Sequence, residues 1–80
     1  MSDILYIVVP CYNEEAVLPE TQKELGNKLS DMISIGAISE ESRIVFVDDG
    51  SKDRTWELIE KYHSENSKIG GVKLAHNRGH

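Results

Sequence analysis

Val47-Asp48-Asp49-Gly50-Ser51-Lys52-Asp53 lies between an apolar run, Ile44-Val45-Phe46-Val47, and a segment that begins Arg54-Thr55-Trp56-Glu57-Leu58-Ile59. Four consecutive apolar residues bounded by turn signals indicate a strand buried on both faces, and Gly50-Ser51 supplies the turn. Asp53 is placed to cap the helix that follows, because a short carboxylate there accepts an otherwise unpaired N–H of the first turn. In open α/β sheets ligands bind outside the carboxyl ends of the strands, so a strand that runs into an acidic turn and then a helix marks a candidate site.

Upstream, residues 4–9 (Ile-Leu-Tyr-Ile-Val-Val) form a second β-prone run with no polar interruption, which suits a strand covered on both faces in a parallel sheet. Pro10 is expected to end it, and Cys11-Tyr12-Asn13-Glu14-Glu15 forms a polar turn at its carboxyl end. Pro19 forbids an uninterrupted helix from Asn13 onward, so the regular helix starts near Val17 or Leu18 with the proline in its first turn. Leu18, Leu25, Leu29, Met32 and Ile33 then keep to one helical stripe, which is a core-facing surface. Residues 34–41 read as a connector.

Downstream, Trp56, Ile59, Tyr62 and His63 share one side of the second helix, which frays around Ser64-Glu65-Asn66. Gly70-Gly71 is read as punctuation before a short third strand, Val72-Lys73-Leu74-Ala75. The pattern is βαβαβ, an α/β Rossmann-like unit with a parallel three-stranded sheet in the order 3-2-1. Both helices fall on one face of that sheet and leave the other bare. The chain is therefore expected to be a single incomplete α/β domain, the amino-terminal piece of a longer protein, that forms homo-oligomers through the bare sheet face or the free edge of strand 1.

Bulk properties remove several classes of function. The formal charge is -5, and none of the nine Lys and Arg residues form a run, so no nucleic-acid partner is expected. The single cysteine, Cys11, rules out an internal disulfide or a cysteine-based metal cage and fits a reducing compartment. It reads as a small packed residue rather than a nucleophile, since no histidine stands beside it in sequence. His63, His76 and His80 lack zinc-site spacing. No apolar segment approaches the ~18 to 20 residues of a membrane span, and residues 4–9 lack the basic flank of a signal peptide. A cytoplasmic location is expected, with the cytoplasmic membrane face as the place of work if further segments anchor the protein there.

Parallel neighbouring strands bring the turn after strand 1 beside the turn after strand 2, so Tyr12, Asn13, Glu14 and Asp49 are candidates to line one cleft. A tyrosine ring packs on a base or sugar, and a carboxylate accepts hydrogen bonds from a base N–H or ribose hydroxyls. Asp48 is expected to brace the turn, because adjacent residues leaving a strand point to opposite sides. The plainer reading of the two aspartates is that they only form the turn and complement the helix dipole.

Two motifs at this spacing carry a resemblance. Val8-Val9-Pro10-Cys11-Tyr12-Asn13-Glu14-Glu15 and Val47-Asp48-Asp49-Gly50-Ser51-Lys52-Asp53-Arg54-Thr55, with Asn77-Arg78-Gly79, resemble the start of a family-2 glycosyltransferase of GT-A type. The polyprenyl- and dolichyl-phosphate sugar transferases are the nearest branch. The resemblance implies an inverting, metal-dependent enzyme that moves a sugar from a nucleotide-diphosphate sugar to a polyprenyl-phosphate or saccharide acceptor. It further implies that Pro10, Tyr12, Glu14, Val47 and Asp49 contact the nucleotide-sugar donor, with Asp49 accepting from the base.

The family's divalent ion, Mg or Mn, is held by a D-x-D motif that this sequence lacks, and the family's later acceptor-activating carboxylate is absent as well. No metal ligand and no catalytic residue is therefore assigned to these eighty residues, and the isolated chain is expected to be inactive. A non-catalytic nucleotide-binding or interaction module is the alternative. A phosphoacceptor receiver domain is disfavoured by the absence of a suitably placed lysine, and no Walker or dinucleotide glycine motif is present.

Overall fold

The structure, a computed structural model, describes residues 3–74. Its elements run β1 (Tyr6–Cys11), α1 (Leu18–Ser34), β2 (Arg43–Asp48), α2 (Thr55–Glu65) and β3 (Ile69–Lys73). All three strands are parallel, with β2 in the centre, as the order 3-2-1 requires. The register pairs Val9 with Phe46 and Cys11 with Asp48, so both strands end level with one another.

The sheet alternates strictly. Ile44, Phe46 and Asp48 of β2 are fully buried on the helix side, while Val45 and Val47 turn to the other face and are only half-buried. Leu18 and Leu29 of α1 and Ile59 and Tyr62 of α2 close over Ile44, Phe46 and Ile69 to form one core. Both helices thus cover the same face, as the topology requires. Leu25, Met32 and Ile33 flank that core, which accounts for the apolar stripe of α1. The opposite face carries Ile4, Tyr6, Val8, Val72 and Leu74, each between 43% and 61% exposed, so the expectation that β1 is buried on both sides does not hold.

Element boundaries depart from the sequence reading at three points. Pro10 lies inside β1 rather than ending it. Arg43 N–H donates to Leu5 C=O and Asp49 N–H to Cys11 C=O, so the odd residues of β1 turn their polar groups toward β2. Pro10 is even, its missing N–H faces the open edge, and no ladder bond is lost there. The third strand starts at Ile69, three residues before the expected Val72, and includes both glycines. Ala75, at its expected end, lies outside the described residues, as does Asn77-Arg78-Gly79. Finally, α2 begins at Thr55 with Arg54 at its boundary, one residue later than a cap at Asp53 implies, although Asp53 Oδ1 still accepts Thr55 N–H at 2.9 Å.

Gly71 is in the strand because α2 demands it. A Cβ there would sit 2.4 Å from Ile59 Cγ2 and 3.2 Å from Trp56 Cζ3, so the helix packs directly on bare backbone. The connector after α1 also contributes more than its polarity suggests. Ala37 N–H bonds Met32 C=O and Gly36 N–H bonds Ile33 C=O, closing the helix in a Schellman motif. The chain then returns along Asp3, where Ser39 N–H bonds Asp3 C=O and Ile38 enters the core. Ser42, fully buried, accepts Leu5 N–H at 2.8 Å and so pins the start of β1 to the start of β2.

Gly71→Ala is expected to lower stability by ~1–3 kcal/mol through overpacking. Gly70→Ala, with nothing within 4 Å of its added carbon, should stay close to wild type. Urea unfolding of the two variants side by side checks this.

Candidate functional site

The carboxyl ends of β1 and β2 lead into two loops, residues 12–17 and 49–54, which the parallel register sets next to each other. Side chains lock them together. Three successive amides of the first loop each donate to a side chain of the second segment: Asn13 N–H to Ser51 Oγ at 2.8 Å, Glu14 N–H to Thr55 Oγ1 at 2.8 Å, and Glu15 N–H to Asp53 Oδ2 at 3.1 Å. Two bonds return. Lys52 N–H donates to Asn13 Oδ1 at 2.8 Å, and Arg54 N–H donates to Glu15 Oε1 at 3.4 Å.

Local conformation makes this clasp possible. Asn13 takes a φ of 52°, a left-handed conformation that asparagine tolerates better than most residues, and this aligns consecutive N–H groups toward the neighbouring loop. Gly50, with φ of 79°, lets the second loop turn sharply after the aspartates. Asp48 faces inward and is fully buried, and its Oδ1 accepts Ser51 N–H at 3.1 Å, which is the bracing role its parity indicates. Asp49 emerges on the exposed side, anchored by its own N–H to Cys11 C=O at 2.9 Å.

The five residues singled out from the sequence fall at this end of the sheet. Pro10 and Val47 are register partners on the face the helices leave open. Tyr12 is 53% exposed. Glu14 is half-buried and shares a hollow of about 130 Å³ with Pro10, Cys11 and Leu18. That hollow is smaller than the roughly 300–1,000 Å³ typical of ligand pockets. Larger depressions lie elsewhere, one of about 440 Å³ between Pro19 and Arg54 and one of about 300 Å³ between Trp56 and Gly70. The chemistry-bearing side chains gather at the strand ends, which makes that edge the candidate site.

Asn13, a candidate to line the cleft, has its Oδ1 engaged by Lys52 N–H. The clasp roles of Ser51, Asp53 and Thr55 toward the first loop are absent from the sequence reading. The signal was available: short hydroxyl, amide and carboxylate side chains in both turns are the types that compete for nearby backbone N–H groups. Cys11 is buried, and burial pushes its thiol pKa up, with the Glu14 and Asp48 carboxylates adding to the effect. Both effects disfavour the thiolate, the form a nucleophile needs.

Asp53 is the electrostatic centre of the clasp. Its carboxyl pKa is lowered, chiefly by the hydrogen bond from the Thr55 hydroxyl; burial opposes this as the next largest effect, and the backbone N–H groups of Thr55, Glu15 and Asp53 itself lower it further. Because the folded pKa is depressed, its contribution to stability is complete above the ordinary carboxylate value and is lost as pH falls through the lowered one. Asp53→Asn should therefore be less stable than wild type near neutrality, and the difference should shrink as pH is taken from about 6 to about 2. Urea midpoints across that range measure it.

Comparison with known proteins agrees with this arrangement. The family described as Glycosyl transferase family 2 matches residues 6–80. The chain is 53% identical over 77 residues to an uncharacterized glycosyltransferase, YkoT, of Bacillus subtilis, covering 96% of this chain and 23% of that protein. It is 40% identical over 78 residues to an undecaprenyl-phosphate 4-deoxy-4-formamido-L-arabinose transferase of Shewanella sediminis, covering 96% of this chain and 22% of the relative. A transferase of the same description from Pseudomonas aeruginosa is 38% identical over 78 residues, covering 96% and 21% respectively. The chain thus spans between a fifth and a quarter of the length of these relatives. No solved structure matches it significantly. With a parallel βαβαβ frame, two clasped loops at the strand ends and a family match over nearly its whole length, the chain belongs to glycosyl transferase family 2.

Proposed function

We propose that this chain forms the nucleoside-binding part of a glycosyltransferase that takes a sugar from a nucleotide-diphosphate sugar and passes it to a polyprenyl-phosphate or saccharide acceptor at the cytoplasmic membrane face. The observation that carries the reading is the clasp, which ties together the adjoining loops that bear Tyr12, Glu14 and Asp49 at the carboxyl edge of a parallel sheet. The printed descriptions of the undecaprenyl-phosphate transferases support the acceptor class. In this reading Tyr12 packs on the base or sugar, and the exposed Asp49 accepts from the base while Asp48 holds the turn from below.

Among the described residues no group of three or more His, Cys, Asp and Glu side chains is disposed to hold a metal ion. The divalent ion that the resemblance implies has no ligand set among them, and the role proposed for this chain is binding alone. No helix among the described residues is long and apolar enough to cross a membrane.

The uncovered apolar face supports a second reading, self-association of this chain. That face presents Ile4, Tyr6, Val8, Val72 and Leu74 to solvent.

Titration of the chain with UDP, GDP and their sugars, in wild type and Asp49→Ala, tests the nucleoside assignment. Wild type should bind one base in preference to the other, and the variant should bind at least about tenfold more weakly. Equal affinity would remove Asp49 from the site. For self-association, sedimentation should show a concentration-dependent oligomer that Val8→Lys shifts toward monomer, and a wild-type chain monomeric at all concentrations would reject it.

A further inference from the structure

Resting on the nucleotide-binding reading, we propose that Thr55 and Asp53 are positioning residues that set the geometry of Glu14 and of the loop it belongs to. Thr55 is fully buried, and its one hydroxyl proton goes to Asp53 Oδ1 at 2.5 Å. With that proton committed, the hydroxyl oxygen is left to accept, and Glu14 N–H donates to it at 2.8 Å. A hydroxyl polarised by a carboxylate is a better acceptor, since bonds in a chain strengthen one another. The same carboxylate takes Glu15 N–H directly through Oδ2. One side chain at the start of α2 therefore governs two consecutive amides of the other loop, the first through Thr55 and the second by itself.

The position of Thr55 makes this a device for alignment. It is the first residue of α2, its own N–H bonds Asp53 Oδ1, and its burial leaves it no contact with a ligand. Anything it contributes to binding must pass through the loop it holds. Ser51, by contrast, holds Asn13 N–H from a less buried place, and Glu14 C=O is already engaged by Val17 and Leu18 N–H groups at the entry to α1. The Glu14 backbone is thus gripped on both sides, and its N–H is the end that depends on Thr55.

Thr55→Val keeps the shape of the side chain and deletes the hydroxyl, while Thr55→Ser keeps the hydroxyl. In ¹⁵N spectra of the full chain without ligand, Thr55→Val should shift the Glu14 amide strongly and speed its hydrogen exchange, and Thr55→Ser should leave both near wild type. In titrations with UDP and GDP, Thr55→Val should bind about tenfold more weakly than wild type, with Thr55→Ser restoring most of the affinity. Wild-type nucleotide affinity retained in Thr55→Val, or an unmoved Glu14 amide, would overturn the positioning role while leaving the nucleotide reading intact. Absence of binding by wild type to either nucleotide would overturn both.

Discussion

The parallel pairing of β1 with β2 is the constraint from which the remaining features follow. Because Cys11 stands opposite Asp48, both chains leave the sheet at the same level and on the same edge. Their loops then lie within hydrogen-bonding range without any long connection to bring them together. An antiparallel pairing would send the loop after one strand to the opposite end of the sheet from the loop after the other. The tight distances of the clasp, most at 2.8 Å, depend on that shared exit.

A division of labour at Asp48 and Asp49 follows from the pleat. Successive residues face opposite sides, so one aspartate is driven under the helices and the other into the open. The buried one carries a cost, since Asp48 Oδ2 has no hydrogen-bond partner among the described residues. Its Oδ1 offsets part of that cost by closing the turn onto Ser51. The strand end thus couples a structural carboxylate to an exposed one with no residue between them.

Much of the architecture could be read from the sequence, because it is written in periodicities. Apolar runs at 44–47 and in the first strand, the 3.6-residue stripe from Leu18 to Ile33 and the proline near the start of α1 are local signals, and local signals decide element type. The errors have nonlocal causes. Gly70-Gly71 looked like punctuation, yet Ile59 and Trp56 press on that strand from α2, a contact between residues more than ten apart that composition does not reveal. Pro10 looked like a terminator, but its position on the outer side of an edge strand removes the penalty. The two-sided burial inferred for β1 failed because apolar character shows what a surface favours, whereas burial depends on whether something covers it. At the site, the inward turn of Asp48 and the outward turn of Asp49 followed from alternation, while the clasp required knowing which loops face each other.

The proline in β1 also shapes what can happen along the outer margin of the sheet. Tyr6 and Val8 turn their N–H groups outward in the same parity as Pro10, so the margin offers donors at its beginning and none at its end. A strand zipping onto this flank from the amino-terminal side would meet, one step before the loops, a residue that offers only its C=O. The margin is therefore graded, richer in donors where the sheet starts than where the loops emerge, and its pull on an incoming backbone weakens in that direction.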